Sequence, residues 1–450
     1  MIVMKFGGSS VADAEHIRHV AEIVRERLDR KPVVTLSAMG DTTDILIEAA
    51  EKALILGPLS VEPSLEKITA PHLAAVQELG LSKTLLPELR ELLGELGSLL
   101  SGISLIKELT AKTRDYLVSF GERLSTRIVA RHFQAVGINA RALDAWDAGF
   151  ISDSAFTFAE LLPESWLSIP NALTPLVEEG VIPIVTGYIA KDASGAITTL
   201  GRGGSDLSAT MIAAACRAEE AQVWKDVDGI LTADPRIVEN ARPVSAVTYD
   251  EAAELAFFGA QVLHPRAMQP CIKTGVPVLV KNSYNPEAPG SVISASLPDG
   301  ARPVRAITTR GNVTLVDIVS SRMVGQYGFL EKVFSCFARH RISIDMVATS
   351  EVSVSLTLDE AHDLSAVTEE LALIAGIEVK TKKAIVTIIG LVGRSSEILE
   401  NAFAVCSELG VQVQMLSQGA SKVNISFVVD GAEAATAVRG LHKKFFENES

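Results

Sequence analysis

A short apolar stretch, Val3-Met4, runs into Lys5-Phe6-Gly7-Gly8-Ser9-Ser10: a cation, two glycines and two hydroxyls where a strand gives way to a helix. Glycine lets backbone N–H groups approach phosphate oxygens, the helix start adds partial positive charge, and Lys5 adds a full one. The layout is not a Walker A loop, in which the lysine follows the glycines. By itself so short a motif more often marks a tight turn beside a surface lysine. A second segment of similar chemistry, Thr198-Thr199-Leu200-Gly201-Arg202-Gly203-Gly204-Ser205-Asp206, precedes another helix. Capping of that helix accounts for Ser205 or Asp206 but not for Arg202 among glycines, whose guanidinium can grip a carboxylate through two parallel hydrogen bonds. A third segment, from Trp224 to Arg236, ends a strand in a polar turn across which a nucleotide can lie. There Lys225 and Arg236 would face phosphates and Asp226 the ribose or base. A lone DxDG turn is more often only a turn, and its spacing to a terminal glutamate is wrong for an EF-hand.

The elements that must position these residues follow from hydrophobic periodicity. Strand Ile2 to Phe6, the glycine loop, a helix with Ile17, Val20, Ala21, Val24 and Leu28 on one face, and strand Val33 to Ser37 read as a parallel crossover. Residues 42 to 135 read as mostly helical, with breaks at Gly57-Pro58, near Pro71 and around Gly94 to Gly102. The leucines between Leu85 and Leu105 read as core or lid packing. Short buried strands are expected at Ala140 to Leu143, Val181 to Val185, Gln222 to Trp224 and Val276 to Val280. Pro286 to Gly300 has linker composition. Beyond it a strand-helix-strand-strand-helix-strand pattern occurs twice, with strands expected at Val313 to Ile318, Ile342 to Ile344, Val352 to Leu356 and Ile377 to Val379. The second copy has strands Ile385 to Ile389, Val411 to Met415 and Val423 to Val428.

With 450 residues and 48% hydrophobic content the chain has room for two or three domains with sizeable cores. A net charge of −14 argues against general binding of nucleic acid or anionic membrane, so anionic substrates must be drawn in by local lysines and arginines. Cys216, Cys271, Cys336 and Cys406 show no CxxC pair, no histidine at metal spacing and no disulfide framework, which points to reduced core residues in a cytoplasmic protein. No apolar run has the length of a membrane span, and no signal core follows the N-terminus.

Taken together, the chain resembles the monofunctional aspartokinases of the amino acid kinase family followed by two ACT domains. Lys5 to Ser10, Ser37 to Asp44, Ser119 to Ser125, Thr199 to Asp206, Trp224 to Arg236 and Phe258 to Pro265 match that family's motifs in order. Six motifs in sequence are far more specific than any one. The resemblance implies an amino acid kinase-like αβα sandwich with a mainly parallel sheet (1–295). Two ferredoxin-like ACT domains would follow, an effector-binding one (305–380) and a pairing one (381–450). It implies transfer of the γ-phosphoryl group of ATP to the side-chain carboxylate of L-aspartate, with Mg2+ arriving on ATP and no organic cofactor. A carboxylate nucleophile is already ionised and needs no general base. Lys5 is therefore expected to stabilise the transferring group and Asp206 to organise lysines and substrate.

ATP would meet Lys5, Phe6, Gly7, Gly8, Ser9, Lys225, Asp226, Leu231 and Arg236. Aspartate would meet Thr43, Glu122, Arg202, Gly203, Gly204 and Ser205, with Arg202 on its α-carboxylate and Glu122 on its ammonium. For Glu122 the plain reading is an exposed helix glutamate. An acetylglutamate kinase has no substrate amine for it to pair, and a uridylate or carbamate kinase needs another pocket. Gln261 stands where many members have lysine, and Leu231 where some have tyrosine. In the first ACT segment Met323, Gln326, Phe329, Leu330, Ser343, Ile344, Asp345, Ser350 and Glu351 resemble the lysine-binding segments of lysine-inhibited members, where Asp345 or Glu351 would pair the effector's ammonium. The second has Gln414 and Ala420 in place of the acids and is expected to pair. A homodimer through the ACT domains, or a tetramer, is expected, with L-lysine as effector. A catalytically silent amino acid sensor on the kinase fold is the alternative, against which Lys5, Arg202 and Asp206 stand together.

Overall fold

The computed structural model describes residues 1–258, 263–298, 300–323, 327–359, 363–390, 395–418 and 423–447. The chain forms two compact units. The first comprises Met1–Ile230, Ser245–Tyr249 and Val262–Leu297, the second Leu231–Val244, Asp250–Gln261 and Pro298–Ser450. Segments 231–244 and 250–261, which the motif order assigned to a kinase domain of residues 1–295, thus pack with the C-terminal region.

In the first unit the strands are β1 (Ile2–Phe6), β2 (Pro32–Leu36), β3 (Ala140–Leu143), β4 (Ile151–Ser152), β5 (Ile182–Thr186), β6 (Ile189–Asp192), β7 (Ile197–Thr199), β8 (Ala221–Lys225), β9 (Ala246–Thr248), β10 (Val278–Asn282) and β11 (Ser291–Ser294). The main sheet has the order β3-β5-β2-β1-β8-β10-β11-β9, and β4, β6 and β7 form a small second sheet. From β3 to β10 the main sheet is parallel. Every residue of β1, β2 and β5 is buried, as in parallel strands covered on both faces. Strand β11 lies inside Pro286 to Gly300 and pairs antiparallel with β10, so part of that stretch is sheet, while the boundary between the two units falls within it, between Leu297 and Pro298.

Helix α1 (Ala14–Arg25) is capped by Asp13, whose side chain accepts from His16 N, and buries Ile17, Val20, Ala21 and Val24. It ends before Leu28, which is exposed. Helices α2 (Thr42–Leu56), α3 (Val61–Glu78), α4 (Ser82–Ile106) and α5 (Ala111–Ala135) come next. The breaks expected at Pro71 and between Gly94 and Gly102 do not occur: Pro71 lies inside α3, and the glycines lie inside α4. A Cβ at Gly97 would come within 3.1 Å of Leu65 Cδ2, so glycine there lets α3 and α4 close up. That packing outweighs the ~1 kcal/mol that glycine costs a helix. Most leucines of α4 are core: Leu85, Leu89, Leu92, Leu96 and Leu100 are buried, whereas Leu105 is exposed. Helices α6 (Ser165–Glu178), α7 (Gly204–Ala215), α8 (Tyr249–Phe257, in the second unit from Asp250) and α9 (Pro265–Thr274) complete this part of the chain.

The second unit carries β12 (Val304–Val319), β13 (Val347–Thr349), β14 (Ser353–Asp359), β15 (Gly376–Gly390), β16 (Met415–Gln418) and β17 (Asn424–Asp430), with helices α10 (Phe329–Arg339), α11 (Ser365–Leu371), α12 (Ser395–Glu408) and α13 (Ala434–His442). All six strands share one sheet in the order β13-β14-β12-β15-β17-β16. Strands β12 and β15 pair along two stretches, Val313 to Val319 with Gly376 to Lys383 and Val304 to Arg310 with Ile385 to Gly390, with a register shift between them. The closing strand of the second copy is therefore Val304 to Arg310, which precedes the first copy in the chain. Strands expected at Ile342 to Ile344 and Val411 to Met415 begin later, as β13 and β16. Around the first, Asp345 N and Met346 N donate to the carbonyl and hydroxyl of Thr357, which holds the backbone off a regular ladder.

Within this unit, Thr232 is held from two sides. Its carbonyl accepts from Ile307 N at 2.8 Å, and its hydroxyl lies 2.9 Å from Nε2 of fully buried His442. The other ring nitrogen of His442 is 2.9 Å from Glu447 Oε1. His442→Ala removes both bonds and opens a void, and should destabilise this unit by about 2–4 kcal/mol. Scanning calorimetry checks this; an unfolding profile unchanged from the parent would refute the anchor.

Candidate active site

Parallel register places Lys5 opposite Val223 and Phe6 opposite Trp224, so β1 and β8 end side by side with Lys5 and Lys225 at their tips. Phe6 is fully buried and stacked on Trp224 at 5.7 Å, so its side chain belongs to the core and only its backbone is left for a phosphate. The glycine loop then passes very close to the turn after β2. A Cβ on Gly8 would lie 2.7 Å from Gly40 O and 2.8 Å from Ala38 O. Gly40 N donates to Gly8 O across the same contact at 3.0 Å. Ser9 is exposed, whereas Ser10 is buried with its hydroxyl 3.0 Å from Ser283 Oγ. Ser283 in turn donates through N and Oγ to Lys225 O at 2.7 and 2.9 Å. This loop after β10 ties both strand ends together, and nothing in its sequence advertised the role.

Helix α7 begins at Gly204 behind Gly203, whose φ of 74° is left-handed, and no side chain caps it. Ser205 and Asp206 thus sit in the first turn and are not caps. Asp206 reaches Lys5 Nζ at 2.7 Å and Lys225 Nζ at 3.9 Å. Burial alone would raise its carboxyl, but Lys5 and Lys225 outweigh burial and hold it below the ordinary carboxylate range. Burial pushes the Lys225 ammonium down, with Asp206 opposing.

Lys5, Thr43, Glu122, Arg202, Gly203, Gly204, Ser205 and Asp206 line one cleft of ≈ 630 Å3 together with Arg114, Asp115, Thr157, Tyr188 and Thr199. Glu122, on α5, is buried rather than an exposed helix glutamate. Its Oε1 accepts from Ala38 N at 3.2 Å, while its Oε2 has no hydrogen-bond partner among the described residues. Burial pushes its carboxyl up to about 8, against the pull of its backbone hydrogen bonds and of Lys5. The cleft so joins a cationic, glycine-rich end suited to phosphate with an end that presents Arg202 and an unpartnered carboxylate oxygen. Asp115 went unread in the sequence, although it stands two helical turns before Glu122 on the same face.

The remaining sequence-assigned residues are not among those that line this cleft. Asp226 is exposed at the end of β8. Leu231 and Arg236 belong to the second unit, where Arg236 is held by Asp234 at 2.7 Å. Gln261 and Gln326 fall outside the described residues. Of the residues assigned to an effector, Met323, Phe329 and Ile344 pack in the hydrophobic cluster beneath α10. Asp345, one of the two acids expected to pair an ammonium, is bound by Arg310 at 3.2 Å. The Ser350 hydroxyl accepts from Ser353 N at 3.1 Å, which makes it a turn residue. Leu330, Ser343 and Glu351 remain exposed. Contrary to the expectation of no histidine at metal spacing, the ligand atoms of Cys336, His340 and Glu370 lie within 4.8 Å of one another. Glu370 is, however, ion-paired with Arg339. All four cysteines are unpaired.

Residues 1–282 match the amino acid kinase family, and 316–369 and 386–445 match an ACT domain. Aspartokinase 1, chloroplastic, of Arabidopsis thaliana is 49% identical over 459 residues, 99% of this chain and 80% of its own. Escherichia coli aspartokinase III in complex with aspartate and ADP (R-state) superposes with a TM-score of 0.81 at 32% identity, covering 99% of this chain and 100% of that one. The same enzyme in complex with lysine and aspartate (T-state) gives 0.82 at 33% identity, with 99% of each chain covered.

Because the added methyl of Gly8→Ala meets two backbone carbonyls, that substitution should cost about 1–3 kcal/mol and abolish nucleotide binding. Thermal denaturation and ADP titration calorimetry read the two effects; undiminished ADP affinity would show that the close approach is not needed.

Proposed function

The chain belongs to the amino acid kinase family as an aspartokinase with an ACT region, and on that premise we propose how its residues carry out the reaction. The side-chain carboxylate of L-aspartate attacks the γ-phosphorus of ATP, an O–P bond forms as the bond to the ADP oxygen breaks, and no proton needs to move. Both reactants are anions, so catalysis consists of positioning and cationic stabilisation. Lys5 meets the transferring phosphoryl group, the amides of Gly7 and Gly8 and of the first turn of α7 donate to phosphate oxygens, and Lys225 serves the nucleotide side. Asp206 holds both lysines in place. Asp206 is engaged by lysines and Asp115 by three donors, so Mg2+ is assigned to the phosphates and water, which suits its chemistry. Bound there, it would neutralise phosphate charge.

The observation that carries the acceptor assignment is the unpartnered Oε2 of Glu122 in the cleft that Arg202 also lines. An α-amino acid supplies a partner for each, its ammonium for Glu122 and its α-carboxylate for Arg202, whereas N-acetyl-L-glutamate leaves Glu122 unpaired. ADP release with Mg-ATP and L-aspartate, L-glutamate, N-acetyl-L-glutamate or UMP tests this. Turnover on L-aspartate alone supports the reading, and turnover on an acceptor without a free amine would overturn it.

Regulation by L-lysine is supported by the lysine complex of E. coli aspartokinase III. With Asp345 bound by Arg310, exposed Glu351 is the remaining acid for the effector's ammonium. Edge strands β13 and β16 carry partly exposed Val347 and Leu416, a surface suited to homodimer pairing. Unpaired cysteines suit a reducing cytoplasmic compartment. Saturating L-lysine should suppress turnover, and Glu351→Gln should relieve that inhibition; steady-state rates with and without L-lysine decide.

Only ionised Glu122 pairs with an ammonium, and in the free site it is mostly protonated below about 8. Binding of aspartate therefore releases a proton. Apparent affinity should rise with pH, roughly tenfold per unit, until it levels near that value. Glu122→Gln should weaken aspartate binding and flatten this dependence, as read by KM across the range.

A further inference from the structure

Asp115 is buried on α5, its side chain faces the acceptor cleft, and the phosphoryl-transfer chemistry makes no direct use of it. Three donors converge on it. Thr157 N and Thr199 N reach Oδ2 at 2.8 Å each, and the Thr199 hydroxyl reaches Oδ1 at 2.9 Å. They come from two separate stretches of chain, both of which line the cleft. Thr157 has a φ of 72°, a left-handed conformation that a β-branched residue adopts only when its surroundings impose it. The Asp115 carboxylate supplies the hydrogen bond that holds it there.

The residues just beyond Thr157 and Thr199 pack without slack. A Cβ on Gly201 would fall 2.4 Å from Phe158 Cδ2, so the two stretches touch directly at this point. The guanidinium of Arg266 lies 4.2 Å above the Phe158 ring and donates to Leu200 O and, at 2.6 Å, to Ala159 O. Asp115 on one side and Arg266 on the other thus clamp residues 157–159 against 199–201 and set the position of the loop that continues into Arg202. Glu122 stands on the same face of the same helix as Asp115. One rigid element therefore carries both the group assigned to the substrate ammonium and the group that fixes the opposite wall.

We propose that Asp115 is a positioning and specificity-determining residue: it fixes the distance between Glu122 and the Arg202 loop, and so limits the length of the acceptor amino acid. A wall held by three hydrogen bonds cannot yield to admit one more methylene, and it is this stiffness that separates L-aspartate from L-glutamate. Rejection by shape alone commonly amounts to roughly 10–200-fold for one methylene. The inference rests on the acceptor-cleft reading given under the proposed function.

The test compares Asp115→Ala and Asp115→Asn with the parent enzyme, measuring KM for L-aspartate, KM for ATP, kcat, and the ratio of kcat/KM for L-aspartate over L-glutamate. Asp115→Ala should raise KM for aspartate roughly tenfold or more, leave KM for ATP within about twofold and lower the ratio about tenfold. Asp115→Asn keeps one acceptor oxygen and should fall in between. If Asp115→Ala does not fold, Thr199→Val removes a single donor without changing side-chain shape, and should shift the same two quantities by a smaller factor. A folded Asp115→Ala or Thr199→Val with unchanged aspartate KM and unchanged ratio overturns the proposal, provided Glu122→Gln raises aspartate KM. Should Glu122→Gln also leave it unchanged, the acceptor-cleft reading falls, and this inference with it.

Discussion

The ion pair between Lys5 and Asp206 is the constraint around which the first unit is organised. At 2.7 Å, with both side chains about nine-tenths buried, neither charge can be left alone. Removing one partner of such a pair typically costs about 3–5 kcal/mol, because the other stays buried and uncompensated. The pair also connects the end of the first strand with the first turn of a helix formed about two hundred residues later in the chain. Lys225 shares the same carboxylate and adds the end of β8. Three segments are in this way drawn to a common point by one acid. Its negative charge keeps two lysines side by side, a pairing that would otherwise be repulsive in so buried a site.

Glycines and a hydroxyl-rich loop do the rest of the positioning. Gly8 and Gly204 sit where a methyl would strike the Ala38 and Gly40 carbonyls or the Tyr188 ring. Ser283 joins the glycine loop to Lys225 through its backbone and side chain. Each device brings backbone close to the site and fixes it, which is what a reaction that relies on placement demands.

Much of this was legible in the sequence because the relevant residues are local. A lysine before paired glycines at a strand end, and an arginine among glycines before a helix, point to an anion site once they are read together with the other motifs in their order. The alternation of buried strands with amphipathic helices likewise marked the parallel sheet. What escaped was set by long-range contact. Asp115 looks like any helix acid until Thr157 and Thr199 are seen to bind it. Ser283 is an ordinary loop serine. Asp345 reads as a free acid until Arg310, which lies on β12 far earlier in the chain, is seen to bind it. Pro71 and Gly97 suggested helix ends because local propensity disfavours them, whereas tertiary packing decides their fate. The strand at Ser291 to Ser294 was hidden by turn-forming neighbours, and its place in the sheet comes from pairing with β10.

The C-terminal sheet shows the same dependence on distance in its order of strands. Because Val304 to Arg310 completes the second copy while the first copy lies between them in the chain, the first is nested inside the second. During synthesis this segment leaves the ribosome well before its partner Ile385 to Gly390 exists, and it must wait with an open edge while the intervening copy is made. A gene divided between the two copies would strand it on the wrong polypeptide. The pair of ACT segments is therefore one inseparable unit of inheritance as well as of folding.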